Sequence, residues 1–198
     1  MITTFRKRPL PSRVSDRPRT YFVHIPKTAG ITLKTFLENN YALGDALVID
    51  EVEARALSSR EVNHYSLWSG HYASEIFEQI TPRPDVTMMI VRDPVERYRS
   101  WTAHGRRSQH PEYRALCEGR TDMEILTDQP SCDAFQAYWL ARAIRDGAER
   151  KIVPVAQELP ELLSQITLVG VTEELDRFMQ VVAFQMGWPA PPLGWHIN

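Results

Sequence analysis

Cysteine is scarce in this chain. Of its 198 residues only Cys117 and Cys132 carry thiols, far from any CxxC spacing, so neither a disulfide framework nor a zinc site is suggested. Long apolar runs are also missing: none approaches the roughly 20 residues needed to cross a bilayer. The opening MITTFRKRPL is charged, with no apolar stretch behind it, unlike a secretory leader. The expectation is a soluble, cytoplasmic protein with reduced thiols and no membrane span. No His, Cys, Asp or Glu cluster has metal-ligand spacing, so no metal is expected. Neither sign of charge dominates, the net value being −2, but the distribution is uneven. Residues 1–20 hold six Lys and Arg against Asp16, which leaves −7 for the remainder. Such a Pro- and Arg-rich segment reads as a basic, flexible arm, and no nucleic-acid partner is expected. With 43% hydrophobic residues, residues 21–198 can close one core as a single domain.

Strand-like and helix-like segments alternate after the arm. Residues 21–25 read as a buried strand, and Leu33, Phe36, Leu37 and Tyr41 then follow at the spacing of one helix face. A weak strand over 46–49, a helical stretch over 51–59, a strand over 65–69 and a short helix over 73–80 come next. VTMMIV, residues 86–91, is the clearest strand, being apolar and bounded by Pro84 and Asp93. A helical pattern over 133–145 leads through KIVPV to a short helix over 157–165. ITLVG, residues 166–170, reads as a strand feeding a helix over 173–186 that Gly187 stops. Continuous apolar strands separated by helices predict a parallel sheet covered on both faces, a three-layer α/β domain. In such sheets ligands bind beyond the carboxyl ends of the strands, which directs attention to HIPKTAG, VRDPVER and VGVTEE.

The first of these is a strand, a short Gly-containing loop and a helix start, so it presents backbone N–H groups at the positive end of a helix dipole. Lys27 adds a positive charge, and Thr28 and Thr32 add hydroxyl donors. It is not a Walker A loop, because Gly30 comes after the lysine, and no convincing magnesium-holding Asp follows a second strand. An ordinary connection with a solvent-facing lysine would have the same composition. In the second, Asp93 as N-cap, Pro94 at N1 and Glu96 at N3 form a capping-box arrangement. Capping does not account for Arg92 at the strand end or Ser100 further along the helix; these two fit a second anion.

HIPKTAG followed by a hydroxyl residue and Leu, with VRDPVER and a Ser three residues on, resembles the two phosphate-binding motifs of the carbohydrate sulfotransferases, the group of heparan sulfate 2-O-sulfotransferase and the chondroitin sulfotransferases. The Gly70–His71 pair and VGVTEELDRFMQ are similar to further parts of that pattern. The resemblance spans roughly residues 21–187 and implies a P-loop-like domain, with a longer C-terminus than the PPLGWHIN found here. It implies transfer of a sulfuryl group from 3′-phosphoadenosine 5′-phosphosulfate, without a metal, to a hydroxyl on a carbohydrate or glycolipid. Lys27, Thr28, Ala29, Gly30 and Thr32 match the loop for the 5′-phosphosulfate, and Arg92 and Ser100 match the pair for the 3′-phosphate. One departure is Ile31, where the family has a hydroxyl residue directly after the glycine; Thr32 stands next in line for that hydrogen bond.

In-line transfer needs a base for the acceptor hydroxyl and a cation for the leaving oxygen. Lys27 suits the second task. His71 suits the first, since it ends a predicted strand and aligns with a catalytic histidine of the 2-O-sulfotransferase branch; Glu75 competes as base or as its orienter. His24 is expected to end the first strand and hydrogen-bond locally. Arg106, Arg107, His110 and Arg114 make either a rim for an anionic glycan or a solvated loop. Trp68 and Trp101 either stack on a sugar ring or belong to the core. Two rival readings are a degenerate P-loop kinase and a non-catalytic nucleotide-binding relative.

Overall fold

A computed structural model of the chain describes residues 17–49, 51–71, 76–128, 134–145, 154 and 156–197. The strands are β1 (Thr20–Val23), β2 (Ala46–Leu47), β3 (Leu67–Gly70), β4 (Val86–Val91) and β5 (Leu168–Val171). They pair in the order β2-β3-β1-β4-β5, and every pair is parallel. The described helices are α1 (Gly30–Asn40), α2 (Glu51–Ala56), α3 (Ser59–Val62), α4 (Pro94–Arg107), α5 (Pro111–Cys117), α6 (Asp122–Asp128), α7 (Phe135–Ile144), α8 (Leu159–Ser164) and α9 (Leu175–Met186).

Alternation along the strands builds the layers. Phe22, Leu67, Met88 and Ile90 point to one face, where they meet Leu33, Phe36 and Leu37 of α1 and Phe178, Met179 and Val182 of α9. Tyr21, Val23, Trp68 and Met89 point to the other, against Ala54 of α2, Val62 of α3, Leu140 and Ala143 of α7 and Leu162 of α8. The predicted three-layer α/β architecture is therefore present. A satellite cluster of Tyr98, Cys117 and Ile125 ties α4, α5 and α6 together.

Boundaries moved where local chemistry outweighed composition. The expected strand over 46–49 is two residues long. The helical stretch 51–59 breaks after Ala56, because Ser58 is extended and caps α3 reciprocally with Glu61. Of the helix expected over 73–80, residues 73–75 lie outside the described residues, and the rest includes a 3₁₀ turn, Phe77–Gln79. KIVPV lies mostly outside them too, as do Cys132 and Asp133. HGRRSQHPEYR is not a loop but the end of α4 and the start of α5. Gly187 closes α9 in the left-handed region, at φ 66°, as expected.

Of the arm expected over 1–20, residues 1–16 lie outside the described residues. Arg17, Arg19 and Thr20 belong to the described fold, and Thr20 opens β1. Arg19 is buried: its N–H donates to Asp85 at 2.7 Å, its guanidinium donates to Asn63 Oδ1 at 2.8 Å and to the Pro82 carbonyl, and it lies 4.8 Å over the Trp68 ring. Trp68 is thereby a core residue, fully buried with Nε1 donating to the Val62 carbonyl at 3.1 Å, not a platform for a sugar.

The strand order fixes where a ligand can enter. The chain leaves β1 toward β2 and β3 on one side, and leaves β4 toward β5 on the other. Loops at the carboxyl ends of β1 and β4 therefore diverge and open a crevice between them.

Arg19→Ala should cost about 2–4 kcal/mol, since it strips partners from buried acceptors and removes the packing on Trp68. Urea unfolding followed by tryptophan fluorescence checks this, and an unchanged midpoint would refute it.

Candidate functional site

β1 is followed by His24, Ile25, Pro26 and Lys27, and α1 begins at Gly30. Two non-glycine residues of this turn lie in the left-handed region, Lys27 at φ 71° and Ala29 at φ 59°, which costs about 1–2 kcal/mol each. Ala29 is the N-cap and makes no side-chain cap, and the first turn of α1 holds no acidic residue. The helix start thus offers its N–H groups and its dipole without a competing side-chain anion. Gly30 is required for contact rather than for φ: a Cβ there would overlap the His24 ring.

The crevice is a cavity of about 810 Å³, within the usual range of small-molecule sites. Lys27, Ala29, Gly30, Thr32, His71, Arg92 and Ser100 all line it. Thr28 does not; it is fully buried and its Oγ1 donates to the Ile25 carbonyl at 2.9 Å, so its hydroxyl holds the turn instead of facing a ligand. Thr32 is also committed. Its Oγ1 accepts from Ile197 N–H at 3.0 Å and donates to the Ile197 carbonyl at 3.3 Å.

Arg92 is presented by a backbone clamp. Gln136 on α7 accepts from Arg92 N–H at 2.9 Å and donates to its carbonyl at 2.8 Å. The guanidinium reaches across the crevice, with Nη1 3.4 Å from the Lys27 carbonyl. Its Nε is buried without a hydrogen-bond partner among the described residues. Asp93 caps α4, accepting from Val95 and Glu96 N–H at 3.0 Å. The capping box is incomplete: Glu96 pairs with Arg99 at 2.7 Å, and Asp93 N–H donates to Glu173 at 3.4 Å.

Electrostatically the cavity has one sign. Among the described residues that line it, none is acidic, whereas Lys27, Arg92, Arg142 and four histidines are present. Burial, then the Arg107 and Arg92 guanidinium groups, hold the Lys27 ammonium below its usual 10.5. Burial, Lys27 and Arg107 likewise hold His104 below 6.5. Like charges so gathered repel, and an anion between them relieves that repulsion. Arg107 is the member of the predicted basic rim that acts here. Arg106 pairs with Asp122 at 2.6 Å, and Arg114 faces Glu118 at 3.9 Å, beside a separate hollow of about 380 Å³.

His71 leaves β3 after Gly70, whose φ of 130° turns the chain out of the strand. Its Nδ1 lies 2.8 Å from the His24 carbonyl. A carbonyl only accepts, so Nδ1 carries the proton and, in the neutral ring, Nε2 carries the lone pair. Glu75 lies outside the described residues. His24, expected to end the first strand and hydrogen-bond locally, stands one residue past β1 and makes its local bond through its carbonyl, to His71. Its imidazole is stacked on Phe22 at 5.3 Å and meets the tilted His71 ring at 4.2 Å, and its Nδ1 has no hydrogen-bond partner among the described residues. His64 packs edge-on against Tyr65, away from the cavity.

Two walls were not anticipated. α7 contributes Phe135, Tyr138, Trp139 and Arg142, a stripe at i, i+3, i+4 and i+7, while Leu140 and Ala143 face the core. The spacing was legible, but an aromatic stripe in a helix ordinarily signals core. Trp101 of α4 joins that wall. The second wall is His196 and Ile197 from the C-terminal segment, for which composition gave no signal.

Among the described residues no group of three or more His, Cys, Asp or Glu is arranged to hold a metal, and no helix is long and apolar enough to cross a membrane. The chain matches no family model, no curated protein and no solved structure.

The buried His24 ring, held well below its usual 6.5 by burial, His71 and Lys34, has a consequence for stability. The unfolded chain binds a proton there as pH falls through 6.5 and the folded chain does not, so stability present above 6.5 is lost below it. Thermal unfolding between pH 7.5 and 5 should show this loss, with a limiting slope of about 1.4 kcal/mol per pH unit. His24→Gln should flatten the profile; an equal slope in both proteins would refute the assignment.

Proposed function

We propose that the protein is a sulfotransferase that moves a sulfuryl group from 3′-phosphoadenosine 5′-phosphosulfate to an acceptor hydroxyl, on a carbohydrate or glycolipid. The observation that carries this reading is the convergence of Lys27 and Arg92 on one crevice between β1 and β4, in a cavity whose described lining holds no carboxylate. A donor with anionic groups at both ends of a nucleoside supplies a counter-charge to each turn. The N–H groups of Ala29 and Gly30 with the Lys27 ammonium face the 5′ end, and Arg92 with Ser100 faces the 3′-phosphate. The aromatic stripe of α7 is suited to stack on a planar base or a sugar ring.

In the transfer, a bond forms between the acceptor oxygen and sulfur as the bond between sulfur and the bridging oxygen breaks. The acceptor proton passes to His71 Nε2, whose lone pair is fixed by the bond at Nδ1. Lys27 neutralises the charge that develops on the departing phosphate oxygen. The products are the sulfate ester, adenosine 3′,5′-bisphosphate and a protonated His71. The alignment with the sulfotransferase motifs supports the same roles.

Calorimetric titration with adenosine 3′,5′-bisphosphate, without magnesium, is the direct test. Micromolar binding is expected, weakened roughly ten- to hundredfold by Lys27→Ala and by Arg92→Ala, since each removes charge-assisted hydrogen bonds worth about 1.5–3 kcal/mol. Binding of ATP with magnesium, but not of the bisphosphate, would favour a kinase. No binding of either by the folded protein would sink the reading.

With the donor in hand, His71→Ala should lower turnover about 10²- to 10⁴-fold while leaving bisphosphate affinity unchanged. Steady-state kinetics beside the same titration separate the two, and unchanged turnover would remove His71 from the base role.

A further inference from the structure

Residues 187–197 fold back from the end of α9 across the start of α1, and each step of their path is tied. Trp188 packs against Phe36 and Tyr41 at 6.0 and 5.6 Å, and Gln180 donates to the Pro191 carbonyl at 2.9 Å. Asp176 accepts from Gly194 N–H at 3.0 Å through one carboxylate oxygen, while its other oxygen lies 3.2 Å from His196 Nε2 in a charge contact that is not a hydrogen bond. Trp195 meets Phe36 at 6.3 Å. At the far end Ile197 takes both the donor and an acceptor position of the Thr32 hydroxyl, and His196 and Ile197 line the cavity that holds Lys27 and Arg92.

A threonine hydroxyl has one proton to donate. With that proton on the Ile197 carbonyl, Thr32 is spent as an anchor and is not available as a donor to an anion. The hydroxyl that the anion loop lacks at Ile31 is therefore not replaced by Thr32 in this arrangement. What the anchor brings instead is an imidazole.

We infer that the segment 188–197 is a strap, latched at Thr32 and at Asp176, that sets His196 as a further anion-binding residue in the wall of the nucleotide cavity. Asp176 is a positioning residue: it does not line the cavity, and it acts by holding Gly194, with its carboxylate beside His196. The strap leaves about 810 Å³ of space while latched, so it completes the site without filling it. This inference rests on the sulfate-donor reading, because the ligand that His196 would face is the phosphorylated nucleotide.

The experiment combines titration of adenosine 3′,5′-bisphosphate with amide hydrogen exchange over 188–197. His196→Ala should weaken binding about fivefold to tenfold, and His196→Lys should recover it, which a purely structural histidine would not do. Asp176→Asn keeps an acceptor for Gly194 but drops the charge beside His196. It should speed exchange of the strap and weaken binding to a similar degree, although position 176 touches no ligand. Thr32→Val should release the Ile197 amide selectively. In the unmodified protein the bisphosphate should slow exchange across the strap.

Three outcomes would overturn the inference. Faster exchange on adding the bisphosphate would mean that ligand and strap compete. Equal binding by the unmodified protein and all variants, with exchange indifferent to ligand, would reduce the strap to packing while leaving the donor reading intact. Failure of the unmodified protein to bind would remove the donor reading, and His196 would lose its ligand with it.

Discussion

β1 is hydrogen-bonded along both edges, to β3 on one side and β4 on the other, and its side chains are fully buried on both faces. That central place is the constraint from which the site follows. A strand so held cannot shift its register without moving Tyr21 and Phe22 between layers, so the residues that follow it are delivered to a fixed point. Lys27 owes its position to this, as does the His24 ring that fills the space beneath Gly30. β4, paired at the next edge, delivers Arg92 with the same certainty, and the diverging connections leave the space between them open.

The turn after β1 carries strain that the rest of the fold absorbs. Two left-handed non-glycine residues within three positions are unfavourable in isolation. They persist because Thr28 is buried between them and bonded to Ile25, and because α1 is anchored through Leu33, Phe36 and Leu37 on the sheet. The apolar layer thus offsets the cost of this backbone geometry. Gln136 does comparable work for Arg92. By satisfying both backbone groups of that residue from α7, it leaves the side chain as the part turned to the crevice.

Much of this was legible in the sequence, and the reasons are physical. The apolar periodicity of Leu33, Phe36 and Leu37 and the continuous run VTMMIV reflect burial, which composition records directly, so the layers and the parallel sheet could be read. Lys27, Arg92 and His71 could be placed because strand ends are where a parallel sheet presents side chains; Ser100, on α4, was placed by the motif it resembles. What could not be read depends on pairs distant in sequence. Thr28 and Thr32 are equal as hydroxyl donors on paper; one turned inward to Ile25 and the other was claimed by Ile197, 165 residues away. Arg19 looked like one more charge in a basic arm, yet Asn63, Pro82, Asp85 and Trp68 close around it. The stripe 135, 138, 139 and 142 had the spacing of a buried face, and only the position of α7 relative to β1 turns it toward the cavity.

The electrostatics tie these pieces together. Burial, then Arg107 and Arg92, lower the affinity of Lys27 for its proton, and burial, Lys27 and Arg107 lower that of His104, an arrangement that works against folding. Surface cations usually escape such repulsion by swinging into water or onto a carboxylate, as Arg106 does with Asp122 and Arg99 with Glu96. Arg92 cannot, because its backbone is clamped by Gln136 and its Nε is buried; Lys27 is fixed by the left-handed turn. Cations held in place against their own repulsion store a preference for an anion, and the open space in front of them defines its size. The sheet supplies only the floor of that space. Its walls come from α7 and from the segment that α9 sends back over α1, so the shape of the cavity depends on elements that adjoin neither turn in the sequence.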